Sequence, residues 1–326
     1  MIDTQYSCDF LSKIILVCIK SIEIRSCSVH RLYNYYYHLF RKYGLSLFDV
    51  NVKADSYINA ALVDLNQSNV DNRRDMTKDL KNKVVVITGG AVGIGKSIAD
   101  NFLKKGAKTV VILDVNEKQG IEAAANLNSN YGSNKAVFIK CDVTKDLDNV
   151  SEKIISTFNT VDVLVNNAGT LNELNTRKTI DLNALALIDW SLRFWEHMRI
   201  DKNGKGGTII NIASIYGFRR EPYLPVYQAS KFAVMGFTRS LGHLQNFKRS
   251  GVRVVAICPG FTRTELIAEP VLWDDVLKGD FSEFLTNQSW QEVEDVGKAA
   301  VGVFEKATSG SAWLIEGGKP IVEVNN

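Results

Sequence analysis

The sequence has no apolar run long enough to cross a membrane. The longest one near its N-terminus is residues 14–19, six residues bracketed by Lys13 and Lys20, where a helix needs about 20 to span a bilayer. That run is also shorter than a secretory core and lacks a small-residue cleavage site. Asp3, Asp9 and Glu23 argue against a mitochondrial transit peptide, a class poor in acids. Cysteine is scarce. Cys8, Cys18, Cys27, Cys141 and Cys258 form no pair with zinc-ligand spacing, so no metal is expected. An odd count without a disulfide framework points to a reducing compartment, and a cytoplasmic location is expected. Charge of one sign is missing too. A net +3 over 326 residues gives no argument for nucleic acid or an anionic membrane surface. Residues 1–80 lack any sustained period. Their aromatic cluster Tyr33, Tyr35, Tyr36 and Tyr37, flanked by Arg31, His38, Arg41 and Lys42, reads either as a membrane-surface or partner-binding segment or as a poorly ordered extension. A polar linker is expected over 66–82.

What is present begins after Lys83. The runs at 84–87, 110–113, 136–139, 163–165, 209–212, 252–257 and 312–315 are short and almost wholly apolar, rich in Val and Ile. Such runs suit strands buried on both faces of a parallel sheet. Stretches of helical length, such as 94–105 and 117–129, lie between them. Alternating strand and helix predicts an α/β domain over 81–326: a doubly wound (Rossmann) parallel seven-stranded sheet in the order 3-2-1-4-5-6-7. The extension 1–80 precedes it.

Thr88-Gly89-Gly90-Ala91-Val92-Gly93-Ile94-Gly95 falls between the first strand and the first helix. Glycines there let the backbone turn and approach a pyrophosphate closely. The helix start presents unpaired N–H groups and partial positive charge to the phosphates. Asp114 ends the second strand, nineteen residues beyond Gly95. A carboxylate there accepts hydrogen bonds from the adenosine ribose and repels a 2′-phosphate. Val92 precedes Gly93 where a basic residue would favour that phosphate. Both positions predict NAD rather than NADP. Asp114 read alone is also compatible with a turn or cap.

Tyr227-Gln228-Ala229-Ser230-Lys231 carries the sharpest chemical signal. A spacing of four puts Tyr227 and Lys231 on one helix face. An alcohol dehydrogenase without a metal needs a base, and a free Tyr, with a pKa of about 10, is a poor one near neutrality. A neighbouring ammonium favours the phenolate. A chance pair on an amphipathic helix is the plain alternative, but Tyr227 has company. Ser214 ends the fifth strand thirteen residues earlier, and Asn166-Asn167-Ala168-Gly169 follows the fourth. Both fall at the carboxyl edge, where open α/β sheets bind ligands. Asn183 interrupts the helical stretch 179–198, a position of low propensity that invites explanation.

This order of motifs, with Asp142-Val143 and Pro259-Gly260, resembles the short-chain dehydrogenase/reductases over about three-quarters of the chain. Segments such as "NNAGTLNE", "PVYQASK" and "SGVRVVAICPGF" look like NAD-dependent 15-hydroxyprostaglandin dehydrogenases and insect alcohol dehydrogenase-like members. The resemblance implies a catalytic tetrad of Asn183, Ser214, Tyr227 and Lys231, with Asn183 holding a water that links Lys231 to solvent. It implies cofactor contacts from Gly89, Gly93, Ile94, Gly95, Asp114, Val115, Asp142, Val143, Asn167, Ala168, Gly169, Tyr227, Lys231, Pro259, Gly260, Thr262 and Thr264. Ser214, Leu224 and Tyr227 are the expected substrate-binding residues. Prostaglandin-oxidising members carry Gln where this chain has Leu224, which cannot hydrogen-bond the reacting alcohol. A substrate-covering segment is expected over 266–290, where Leu272, Trp273, Phe281, Phe284, Leu285 and Trp290 either face a lipophilic alcohol or pack the core. The expected function is oxidation of a lipophilic secondary alcohol with NAD, by a homodimer or homotetramer. An NADPH-dependent carbonyl reductase and a non-catalytic dinucleotide- or lipid-binding protein are the alternatives.

Overall fold

The computed structural model describes residues 78–268 and 270–325, all within the C-terminal of the chain's two units, Val70–Asn326. The extension expected over 1–80, with its aromatic cluster, lies outside the described residues except for its last three. Of those, Leu80 is buried in the core.

The first half runs β1 (Val84–Thr88), α1 (Gly93–Lys104), β2 (Thr109–Asp114), α2 (Glu117–Tyr131), β3 (Ala136–Lys140), α3 (Leu147–Phe158) and β4 (Val163–Asn166). There follow α4 (Thr176–Ile180), a π-helical turn (Asp181–Ala186), α5 (Leu187–Met198), β5 (Gly207–Ile212), α6 (Pro225–Leu241) and α7 (Leu244–Ser250). The chain ends with β6 (Val252–Pro259), α8 (Glu265–Ala268), α9 (Lys278–Thr286), α10 (Val293–Lys306), β7 (Ala312–Ile315) and β8 (Val322–Glu323).

The strands form one sheet in the order β3-β2-β1-β4-β5-β6-β7-β8. Seven are parallel, in the expected order. The eighth, two residues long, pairs antiparallel with β7. It corrects the seven-strand expectation. A two-residue strand shows no alternation in sequence, and backbone pairing alone defines it: Val324 N–H donates to the Ala312 carbonyl at 2.8 Å.

Strand side chains alternate between faces, so an apolar run feeds both layers at once. Val85 and Ile87 join one core with Phe102 of α1, Leu127 of α2 and Phe304 of α10. Val86 joins the opposite core with Ile154 of α3 and Trp190 and Phe194 of α5. Phe102 and Phe304 meet edge-to-face at 6.0 Å. Each such side chain, fully buried, contributes about 1.5–3 kcal/mol. No described helix is long and apolar enough to cross a membrane.

The parallel arrangement brings the carboxyl ends of β1, β2, β4, β5 and β6 to one edge. A buried polar network braces that edge. Asn166 donates to Ser191 Oγ at 2.8 Å and to Asn211 Oδ1 at 2.9 Å, and Asn211 donates to Thr238 Oγ1 at 2.9 Å. The network ties β4, β5, α5 and α6 into one frame.

Candidate active site

A cavity of about 1640 Å³ opens along the carboxyl edge. Every site residue predicted from the sequence lines it except Gly95 and Asn183.

One end is the glycine loop between β1 and α1. Gly89 and Gly93 hold φ of 62° and 58°, values that L side chains seldom adopt. A Cβ at Gly89 would stand 2.9 Å from Ala168 Cα. Gly95 does not face the cavity because it lets α1 close on the loop. A Cβ there would lie 2.2 Å from the Gly89 carbonyl oxygen. Helix α1 begins without a side-chain cap, and its first turn carries no acid. Its free N–H groups and positive dipole end open where Gly93 and Ile94 line the cavity. A diphosphate satisfies what the chain leaves open here, so the loop fits a dinucleotide.

Asp114 stands beside this loop. Its carboxylate accepts from Ala91 N–H at 3.1 Å and Asn116 N–H at 3.0 Å, which fixes it against the loop. Val115, next to it, is exposed. Asp142 accepts from the Thr144 hydroxyl at 2.6 Å and pairs with Lys145 at 3.0 Å. The Thr144 hydrogen bonds and the Lys145 charge hold its carboxyl below the usual range. Asn167 lines the cavity but spends the N–H groups of its amide within the protein. It donates to the Thr88 and Gly89 carbonyls at 3.1 and 2.8 Å and so clamps the glycine loop to the end of β4. Thr262 and Thr264 turn their hydroxyls onto the Gly260 and Thr262 carbonyls, which shapes the turn after Pro259.

The other end holds Tyr227, Ser214 and Lys231, all buried. Pro225 opens α6 as its first residue, a position that suits proline. The helix then presents Tyr227 and Lys231 one turn apart. Ser214 lies close enough to the Tyr227 phenol to lower its pKa, and its hydroxyl accepts from Tyr216 N–H at 3.1 Å. Lys231 Nζ donates to the Ile212 carbonyl at 2.9 Å and lies 5.5 Å from the Tyr227 ring centroid. Burial pushes the Tyr227 phenol up to about 12, against the opposing pull of Ser214. It pushes Lys231 down to about 8. The expected lowering of the phenol by the ammonium is not found: Lys231 is not among the groups that shift Tyr227, and desolvation, which penalises both charged forms, dominates.

Asn183 is fully buried in the π-helical turn. Such turns are rare and concentrate at functional sites. Its amide is spent within the protein. It accepts from Thr170 N–H at 2.8 Å and donates to the Thr170 carbonyl at 2.9 Å and to Ser230 Oγ at 3.1 Å. Asn183 thus joins the loop after β4 to α6. No bond from Asn183 to Lys231 is present, and the two meet only through neighbours.

Over Tyr227 lies an apolar cluster of Leu171, Ile215, Tyr216, Leu224, Phe261, Leu272 and Phe281, with Phe284, Leu285 and Trp290 packed against it. Leu224 is completely buried. Trp273 stands apart, half-exposed, its indole N–H donating to the Pro222 carbonyl at 3.1 Å. Sequence reasoning missed Glu173. A single acid between Asn172 and Leu174 carries no pattern, and only the structure shows it buried against α6. Among the described residues, no group of His, Cys, Asp and Glu could hold a metal ion.

Fold and site together define the class: a doubly wound α/β protein of the Rossmann type, with a dinucleotide loop and a buried Tyr–Lys–Ser group at one sheet edge. The short chain dehydrogenase family model matches residues 83–274, and the chain belongs to that family of oxidoreductases. Human 15-hydroxyprostaglandin dehydrogenase [NAD(+)] is 40% identical over 187 residues, 57% of this chain and 70% of that protein. Alcohol dehydrogenase 1 of Ceratitis cosyra is 32% identical over 239 residues, 71% of this chain and 91% of that one. The crystal structure of 3-ketoacyl-(acyl-carrier-protein) reductase from Brucella melitensis complexed with NADH aligns with a TM-score of 0.63 at 26% identity, covering 73% of this chain and 98% of that one.

Proposed function

We propose that this chain oxidises a lipophilic secondary alcohol to a ketone with NAD+, with Tyr227 accepting the hydroxyl proton. The observation that carries the reading is that Tyr227, Ser214 and Lys231 line the same cavity as the glycine loop. When bound, NAD+ accepts the hydride that leaves the carbinol carbon and adds a positive charge. Gly89, Gly93 and Ile94 would hold its diphosphate, and Asp114 its adenosine ribose. Asp114 favours NAD+ because its carboxylate would repel a 2′-phosphate.

Ser214 hydrogen-bonds the reacting oxygen and stabilises its developing charge. Tyr227 takes the proton. Lys231, anchored on the Ile212 carbonyl, supplies positive charge on the same helix and lowers the cost of the phenolate. Asn183 sets the loop after β4 through Thr170 and keeps α6 in place through Ser230. The aromatic and aliphatic cluster over Tyr227 excludes water and favours an apolar substrate body. Leu224 offers no hydrogen bond, so orientation of the alcohol rests on Ser214 and Tyr227. Assembly into two or four copies is part of the proposal. Exposed Leu185, Leu192 and Phe232 support it, since they remain apolar at the surface.

The test is NADH formation across secondary alcohols of terpenoid, steroid and fatty hydroxy type, with NADP+ in parallel. Tyr227→Phe is expected to lower turnover by about 10²-fold or more while NADH still binds. Substantial turnover by that variant, or preference for NADP+, would reject the assignment.

A further inference from the structure

Glu173 lies in the loop between β4 and α4 and is 3% exposed. Both of its carboxylate oxygens are spent on the start of α6. Oε1 accepts from the Tyr227 N–H at 2.8 Å, and Oε2 accepts from the Val226 N–H at 2.7 Å. The helix needs such a cap. Leu224, at its N-cap, has no polar side chain, and Pro225 has no N–H, so Val226 and Tyr227 bear the first free donors. A carboxylate suits them because it also meets the positive end of the helix dipole.

The same residue makes a second connection through its backbone. Glu173 N–H donates to the Val271 carbonyl at 3.0 Å, and Asn172 forms a parallel bridge with Val271. Val271 belongs to the segment running from Pro270 to Trp290. That segment contributes Leu272 and Phe281 to the cluster over Tyr227. Glu173 therefore touches, within one residue, the segment that covers the substrate side and the backbone of the residue that bears the phenol.

We propose that Glu173 is a positioning residue for Tyr227: its ionised carboxylate fixes the first turn of α6, places the phenol against Ser214, and links that placement to the covering segment. The inference rests on the reading of Tyr227 as proton acceptor. Burial raises the Glu173 carboxyl above its usual range, and the two backbone hydrogen bonds offset this only in part. No charged side chain from α4, α6 or the Pro270–Trp290 segment is among the groups that shift it. Protonation would leave one oxygen carrying a hydrogen toward a backbone donor, so the cap holds only in the ionised form.

The experiment compares wild type, Glu173→Gln and Glu173→Asp as full-length protein. Hydrogen exchange is followed over residues 224–231 and 271–290, NADH affinity by fluorescence, and kcat and KM with the secondary alcohol that wild type oxidises fastest. Glu173→Gln is close to isosteric but gives one oxygen where two donors need acceptors. It is expected to speed exchange in both segments, lower kcat at least tenfold, leave KM and NADH affinity within about twofold, and lose the acid limb of the wild-type kcat profile. Glu173→Asp is expected to restore part of kcat. Retention of kcat within twofold overturns the proposal. So does parallel loss of NADH affinity and thermal stability, the mark of a general fold cap. Unchanged exchange over 271–290 overturns the link to the covering segment. If wild type oxidises no alcohol, the proposed function fails, and the exchange data still decide the role of Glu173.

Discussion

The ammonium of Lys231 is tied to the carbonyl oxygen of Ile212, 2.9 Å away and two residues before Ser214. The cation of α6 and the hydroxyl at the end of β5 are thus held by one hydrogen bond between helix and strand. The Tyr227 ring lies 5.5 Å from the Lys231 ammonium, and Ser214 lies close enough to lower the pKa of its phenol. The arrangement concentrates a buried cation beside a group that must become an anion.

That burial has a cost that titration can read. Lys231 is lowered from an ordinary value of 10.5 to about 8 by desolvation. Between those values the unfolded chain binds the extra proton, so the contribution of Lys231 to stability of the cofactor-free protein rises with pH across this window. In thermal melts from pH 7 to 10, the melting temperature of wild type relative to Lys231→Met is expected to rise. At pH 7 the variant should melt no lower than wild type, while losing most turnover. Parallel melting curves for the two proteins would disprove the charge cost assigned to Lys231.

Tyr227 moves the opposite way, up to about 12. A proton acceptor works only when deprotonated, so alcohol oxidation is expected to climb with pH from 6 to 9, while ketone reduction, which uses the protonated phenol, stays level. Initial rates in both directions check the sign. An oxidation rate that falls over that range would remove Tyr227 from the role of base.

Gly95→Ala should separate cofactor binding from folding. The new Cβ would sit 2.2 Å from the Gly89 carbonyl oxygen and 2.6 Å from Asn167 Nδ2, so the loop must open. NADH affinity is expected to fall at least tenfold by fluorescence titration, with far-ultraviolet circular dichroism unchanged. Full affinity in this variant would show that the loop does not hold the diphosphate.

Tyr216 offers a test in stability. Its hydroxyl is buried and has no hydrogen-bond partner among the described residues, and its ring meets Tyr227 and Phe261 edge-to-face at 6.4 and 6.0 Å. An unsatisfied buried hydroxyl costs about 1–3 kcal/mol. Tyr216→Phe keeps the ring and is expected to hold or raise the melting temperature. A clear drop would mean that the hydroxyl has a partner that matters.

The strands were legible because parallel strands covered on both faces are apolar at nearly every position, as in the run from Val84 to Ile87. The glycine loop was legible because Gly89 and Gly93 occupy backbone angles that few other residues tolerate. The pair of Tyr227 and Lys231 was legible because helical spacing fixes their shared face. Asn183 showed only as an anomaly of propensity, and the π-helical turn supplies the reason. Strand β8 left no trace, being two exposed residues defined by pairing. Glu173 left none either, since an acid in a polar loop reads as solvated until α6 is packed over it.

Local chemistry thus determined which elements form and which residue types reach the sheet's carboxyl edge, since periodicity and turn geometry are properties of neighbours along the chain. Tertiary structure alone decided how those residues are bonded and charged. Asn167 clamps the glycine loop, Glu173 reaches 53 residues along the chain to Val226, and desolvation dominates the Tyr227 phenol, with Lys231 not among the groups that shift it. Each of these depends on what is packed around a group, and burial is a property of the folded whole.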